Sequence, residues 1–333
     1  MAAAALALGA NAAGPAAMPS STARYATDAY PGFDREEFIV SSGKKVPRWF
    51  SWLNGPKKDN AAEQLEYAIE CEKSGEWRAA RRGYDSLVRE WPASPEAPKA
   101  QEKLADLYLE HYLEYESAFD EYKYLMDYYS SQCDYDAIAF RLYEVAKLWE
   151  EEGRTVLFFR IADTVDVRRA FESVVLHAPG AKFAPDAMLR VAKLREDDLE
   201  HDKAVQVYEN LRNLYPGTPE ARAALHREGA ARMRLIREHE YNSTRIRDTI
   251  DFLKMALASN PAPDVKADLN SWLAESVSRM EDEAFAAAKF YDSRTRTRRS
   301  AINAYQRFIR EYPASSHVEE ARARLEALEK EIL

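Results

Sequence analysis

Apolar residues return every three or four positions through most of this chain, and the runs stop at prolines. In AINAYQRFIREYPASSHVEEARARL (301–325), Ala301, Tyr305, Phe308 and Ile309 fall on one stripe of a helix, with polar residues between them. The Tyr312-Pro313 step ends that helix, because the residue before a proline is pushed out of the α region. A second amphipathic run follows. Nearly the same text stands early in the chain, as AARRGYDSLVREWPASPEAPKAQEKL (79–104). Aligned on Pro92 and Pro313, Tyr84 falls on Tyr305, Leu87 and Val88 on Phe308 and Ile309, Ala100 on Ala321 and Leu104 on Leu325.

Two further copies keep the same ruler. Tyr208 lies eight before Pro216 and Ala224 eight after it; Phe171 and Ala187 flank Pro179 in the same way. A fifth, weaker unit closes with DTIDFLKMALASNP at Asn260-Pro261, and ESAFDEYKYLMDYY (116–129) reads as a closing helix that lacks its proline. After the prolines, Ser94, Thr218 and Ser315 sit where an N-cap is wanted, and Glu96, Glu220 and Glu319 fall near the first turns. The small alanine of the next helix permits close approach. One helix pair cannot bury its stripe alone, whereas stacked neighbours can. The expected fold is therefore all-α, a solenoid of about five helix pairs over 60–313 with a final helix from Ser316. No run alternates as a strand would.

The segment 60–333 is thus expected to carry the repeats, and what precedes it differs in kind. Residues 1–22 combine a short apolar run with small residues, and Ala10-Asn11-Ala12 fits a small-x-small export cleavage site without a basic lead. Residues 23–59 read as an extended connector rich in Pro, Gly, Ser and Lys. Within it Trp49, Phe50 and Trp52 are residues that seek burial, on the repeats or on a partner. No stretch is long and apolar enough to read as a membrane span.

Composition narrows the function classes. Hydrophobic residues make up 46 %, enough for a large core, while 11 Gly and 15 Pro are few for 333 residues. The net charge of −9 argues against a general nucleic-acid binder. Cys71 and Cys133 make no disulfide framework and cannot form a structural zinc site; they read as packed thiols, with pairing left open. No catalytic, metal or cofactor site is expected. The chain has no His-Glu-x-x-His, no phosphate-binding glycine loop and no Gly-x-Ser-x-Gly. His201, in DDLEHD, reads as part of a solvated turn.

Two clusters stand out as protein-binding candidates. Tyr108, Tyr112, Tyr115, Tyr122 and Tyr124 crowd one hairpin together with Phe119, Tyr128 and Tyr129, more aromatics than one stripe can bury. Tyrosine gives a rigid contact area with a polar tip, which suits peptide capture. The second cluster is RTRTRRS (294–300), where Arg294, Arg296, Arg298 and Arg299 could meet a carboxylate-bearing partner.

Helix pairs closed by A-x3-Y-x6-Y-P resemble tetratricopeptide repeats of the periplasmic kind. The segment 281–325, with Ala287, Ala288, Phe290, Tyr291, Ala301, Tyr305, Tyr312 and Pro313, resembles the last repeat of the outer-membrane assembly lipoprotein (BamD-like) family. The first copy, from Trp77, resembles that family's first repeat. The resemblance implies a tetratricopeptide-like helical-repeat solenoid in the periplasm at the outer membrane. It implies a barrel-forming outer-membrane assembly protein and outer-membrane protein segments as partners: the segments in the tyrosine-lined groove, the barrel protein at the C-terminal repeats. The chain departs from the family at Asn11, where the lipid-bearing cysteine is expected. A soluble adaptor of the tol-pal type shares the Tyr-Pro text, though 23–59 lacks heptads for an oligomerising segment. An enzyme would need a convergent titratable pocket, which no spacing suggests.

Overall fold

Each proline of the ruler closes a helix in the computed structural model, which describes residues 55–155, 164–238, 242–294 and 298–332. The expectations for 1–22 and for most of 23–59 lie outside the described residues. Thirteen α-helices run through the described residues. They are α1 Ala61–Lys73, α2 Trp77–Glu90, α3 Ala97–Leu107, α4 Tyr115–Tyr128, α5 Tyr135–Thr155, α6 Thr164–His177 and α7 Ala184–Asp197. Then come α8 His201–Leu214, α9 Pro219–Glu238, α10 Ser243–Ala258, α11 Pro263–Asp292, α12 Arg298–Glu311 and α13 Val318–Ile332. Taken in order they make six pairs and a closing helix. The pair count exceeds the ruler's by one because the α3–α4 pair has no proline to mark it.

The ends of α2, α8 and α12 share one chemistry. Trp91, Tyr215 and Tyr312 still donate N–H to Leu87, Leu211 and Phe308 at 2.8, 3.0 and 2.8 Å. The proline that follows has no N–H with which to continue. The turn then differs from expectation. Ser94 caps nothing: its carbonyl accepts from Ala97 N–H, and α3 starts beyond it. Ser315 Oγ accepts from His317 N–H at 3.4 Å, short of α13. Only Thr218 acts as foreseen, accepting from Ala221 N–H at 3.2 Å.

The ruler residues are the core. Tyr84, Phe171, Tyr208, Tyr305 and the alanines Ala100, Ala187, Ala224 and Ala321 are all buried. Small residues let neighbours close up: a Cβ on Gly83 of α2 would stand 2.8 Å from the Ala68 Cβ of α1. Beside them, buried Gln64 donates to Gly83 O and Ser86 Oγ and accepts from Lys57 and Lys58 N–H, tying the end of the connector to α1.

The chain divides into two compact units, one ending at Leu194 and one starting at Arg195. In the second, the 30-residue α11 serves two cores. Leu269 and Met280 pack with Ile250, Phe252 and Leu253 of α10, while Phe285 and Ala288 pack with Tyr305, Phe308 and Leu328. At about 1.5 Å per residue it is long enough to cross both.

Equivalent helix ends expose one local strain. Gly75 after α1 and Leu199 after α7 both stop their helix in the left-handed region, at φ 75° and 62°, with the same backbone bonds (Glu76 N–H to Cys71 O and Glu200 N–H to Arg195 O). Glycine takes that conformation freely and leucine does not. The Leu199 side chain is 78 % exposed, so it gains little there. Leu199→Gly is expected to stabilise the chain by roughly 0.5–1 kcal/mol, seen as a higher urea midpoint. A lower midpoint would show that the exposed leucine makes contacts worth more than the strain.

Candidate partner-binding surfaces

Beneath the surface candidates lies a polar layer that repeats with the ruler. The Tyr84 hydroxyl donates to Glu72 at 2.5 Å, Tyr208 to Glu196 at 2.6 Å and Tyr305 to Asp292 at 3.2 Å, each acid standing twelve or thirteen residues upstream. Burial first, and then the carboxylate, pushes these phenols up, Tyr305 to about 12, so they remain donors. Each acid also meets a base nineteen residues after the tyrosine: Lys103 at 3.7 Å, Arg227 at 3.2 Å and Arg324 at 2.6 Å. The two bonds from Arg324 hold Asp292 below the usual carboxylate range. At the copy with Phe171 there is no hydroxyl, and Arg190 lies over the ring at 5.6 Å and pairs with Asp186 and Glu150. Sequence reading missed these bases. The signal was present, one helical turn beyond the ruler's alanine.

The tyrosine cluster separates into core and surface. Tyr122 is corrected to core: it is fully buried and donates to Asp106 at 2.5 Å, on the stripe that packs inward. Tyr115 opens α4 half-buried. Tyr124, half-buried, stacks on Tyr128 at 4.2 Å, and Tyr128 is 43 % exposed. Tyr108 and Tyr112 lie on a π-helical turn, Tyr108–Tyr112, that ends at Leu113 in the left-handed region. That turn faces the start of α2. Trp77 stacks on His111 at 4.3 Å, and the Arg81 guanidinium stands 5.9 Å from the Tyr108 ring and 5.3 Å from the Tyr112 ring. The structure thus joins Tyr108 and Tyr112 to Trp77 and Arg81, residues the sequence reading did not connect with them.

The arginine cluster is part of another aromatic surface. Arg294 is exposed and lies 4.2 Å over Phe290, itself 53 % exposed beside Tyr291 at 40 %. Arg298 pairs with Glu331 at 3.3 Å, and Arg299 is exposed. Arg296 lies outside the described residues. Two aromatics on the outside of a helix end, flanked by arginines, make a contact surface of the kind that protein partners cover.

One histidine arrangement imitates catalytic geometry. His177 Nε2 stands 2.9 Å from Asp127 and Nδ1 stands 3.2 Å from Ser173 Oγ. Nδ1 is nearer still to the Ser173 carbonyl, at 2.7 Å, so its proton points there and it cannot act as base. Ser173 is buried within α6. Burial raises the Asp127 carboxyl, but the bonds from His177 and Lys123 outweigh it and leave it lowered. His201 is not in a solvated turn, as its acidic neighbours suggested; it is buried at the start of α8, 3.6 Å from Glu238. Among the described residues no group of three or more His, Cys, Asp and Glu could hold a metal ion. Cys71, buried, and Cys133 are both free. No helix among the described residues is long and apolar enough to cross a membrane.

The model of the tetratricopeptide repeat family matches residues 186–218, which hold α8, most of α7 and the turn at Pro216. The matched copy is the one with Tyr208 and Glu196. This is a tetratricopeptide-like helical-repeat fold. A tetratricopeptide repeat protein from Parabacteroides merdae ATCC 43184 is among the similar solved structures, with 13 % identity, 80 % of this chain and 98 % of that chain covered, and a TM-score of 0.30. A search of the curated proteins found no match. Tetratricopeptide-like repeats are generally non-catalytic scaffolds for protein partners.

Proposed function

We propose that this chain is a non-catalytic scaffold of a bacterial envelope, working in the periplasm at the outer membrane and assisting the assembly of outer-membrane β-barrel proteins. The observation that carries the reading is the exposed Phe290–Tyr291 pair with Arg294 above it, at the end of α11. These aromatics stand where 281–325 resembles the last repeat of the BamD-like family. In that reading the C-terminal surface holds a barrel-forming assembly protein, and the tyrosines of the first unit receive outer-membrane protein segments.

The test is affinity purification of the tagged chain from detergent-solubilised envelopes, followed by mass spectrometry. A barrel-forming assembly protein should co-purify and should be lost when Phe290→Ala, Arg294→Glu and Arg299→Glu are combined. If no barrel protein is recovered, or if the chain fractionates with the cytosol, the assembly role is wrong.

A further inference from the structure

Among the described residues most arginines of this acidic chain are paired with an acid, and three that are not lie within five residues of one another on α2. Among the described residues Arg78, Arg81 and Arg82 have no carboxylate at ion-pair distance, while Asp85 pairs with Arg89 and Glu72 meets Tyr84 and Lys103. Arg78 and Arg82 are exposed, one helical turn apart. Arg81, half-buried, is held over the Tyr108 and Tyr112 rings, and Trp77 stacks beside them on His111. Three like charges on two turns of one helix repel each other; Arg81 bonds the Tyr108 hydroxyl, and among the described residues no acid pairs with any of the three.

We propose that this face of α2, with the π turn opposite, binds an acidic peptide segment of a protein partner. The proposal rests on the scaffold reading above and names the chemistry that the first unit selects. Guanidinium groups pair with carboxylates through two parallel N–H bonds, and a group already fixed over aromatic rings loses little freedom on doing so. Trp77, Tyr108 and Tyr112 supply flat apolar area for side chains between the acids. A peptide is favoured over a nucleic acid or an anionic membrane because the basic face is only three charges wide on a chain of net charge −9. A long polyanion reaching past it would meet repulsion within about 10 Å at ordinary salt.

The probe is a fluorescein-labelled peptide of about twelve residues alternating Glu and Asp with Phe and Leu. Its binding to the full chain is followed by anisotropy at low and at physiological salt. Binding is expected to weaken at least tenfold in Arg78→Glu with Arg82→Glu, two exposed positions whose change should leave the helical circular dichroism and melting unaltered. Arg81→Lys should weaken it less, because the charge stays and the planar fork over the rings is lost. Equal binding to the doubly changed chain, no binding to the unchanged chain, or equal binding of a peptide with Lys in place of the acids would overturn the proposal. So would tighter binding of a single-stranded oligonucleotide or of phosphatidylserine vesicles. Because the probe is a free peptide, this result can fail while the envelope purification succeeds, and the reverse.

Discussion

Glu228→Ala is expected to destabilise the chain by roughly 3 kcal/mol or more, the range for breaking a buried ion pair by removing one partner. Glu228 is fully buried on α9 and binds two guanidinium groups at once: Arg212 of α8 through Nε at 2.8 Å and Arg232 through Nε at 2.8 Å. Both also stand over the Phe252 ring of α10, at 5.4 and 4.8 Å. The carboxylate therefore ties α8 to α9, and its two arginines reach α10. Burial pushes its carboxyl up even against two arginines, which shows how much the anion depends on them. Arg212 and Arg232 remain partly exposed and can recover some hydration, which puts the loss at the lower end of the range. Urea denaturation of the full chain measures it. A loss under about 1 kcal/mol would mean that the helices are held by apolar packing alone.

Tyr208→Ala is expected to cost about 3–5 kcal/mol, as for a large buried aromatic, and Tyr208→Phe about 1–2 kcal/mol. The ring belongs to the copy that matches the repeat family, and it is fully buried. The hydroxyl serves Glu196, which is also near Arg227 and Arg234, so its loss leaves the acid other donors. The Phe171 copy keeps the ring without the hydroxyl, which ranks the two contributions in the same order. Thermal unfolding of both variants separates them. If Tyr208→Phe lost as much as Tyr208→Ala, the polar layer and not the ring would be holding this hairpin.

The aromatic, the proline and the alanine of the ruler could be read directly because each acts within its own helix or at its end. Helical period, the missing N–H and small size are local properties. The base nineteen residues after the tyrosine recurs in the sequence, but it belongs to the next helix and serves an acid of the previous one, so its role became visible only when three helices were placed side by side. Tyr122 shows the opposite case. Its neighbours in sequence made it a surface candidate, yet it falls on the inward stripe of α4, where its ring is fully buried and its hydroxyl meets Asp106.

By itself the sequence determined that the chain is helical, where its helices stop and which stripe of each goes inward, since backbone sterics and hydrophobic periodicity act over a few residues. Tertiary structure alone decided which charged groups are spent and which are free. It pairs Arg324 with Asp292 and buries Glu228 between two arginines, and among the described residues it gives Arg78, Arg81 and Arg82 no acid. The physical reason is range: an ion pair depends on a separation of a few ångströms between side chains of different helices, and a spacing along the chain gains meaning only once the packing of those helices is known.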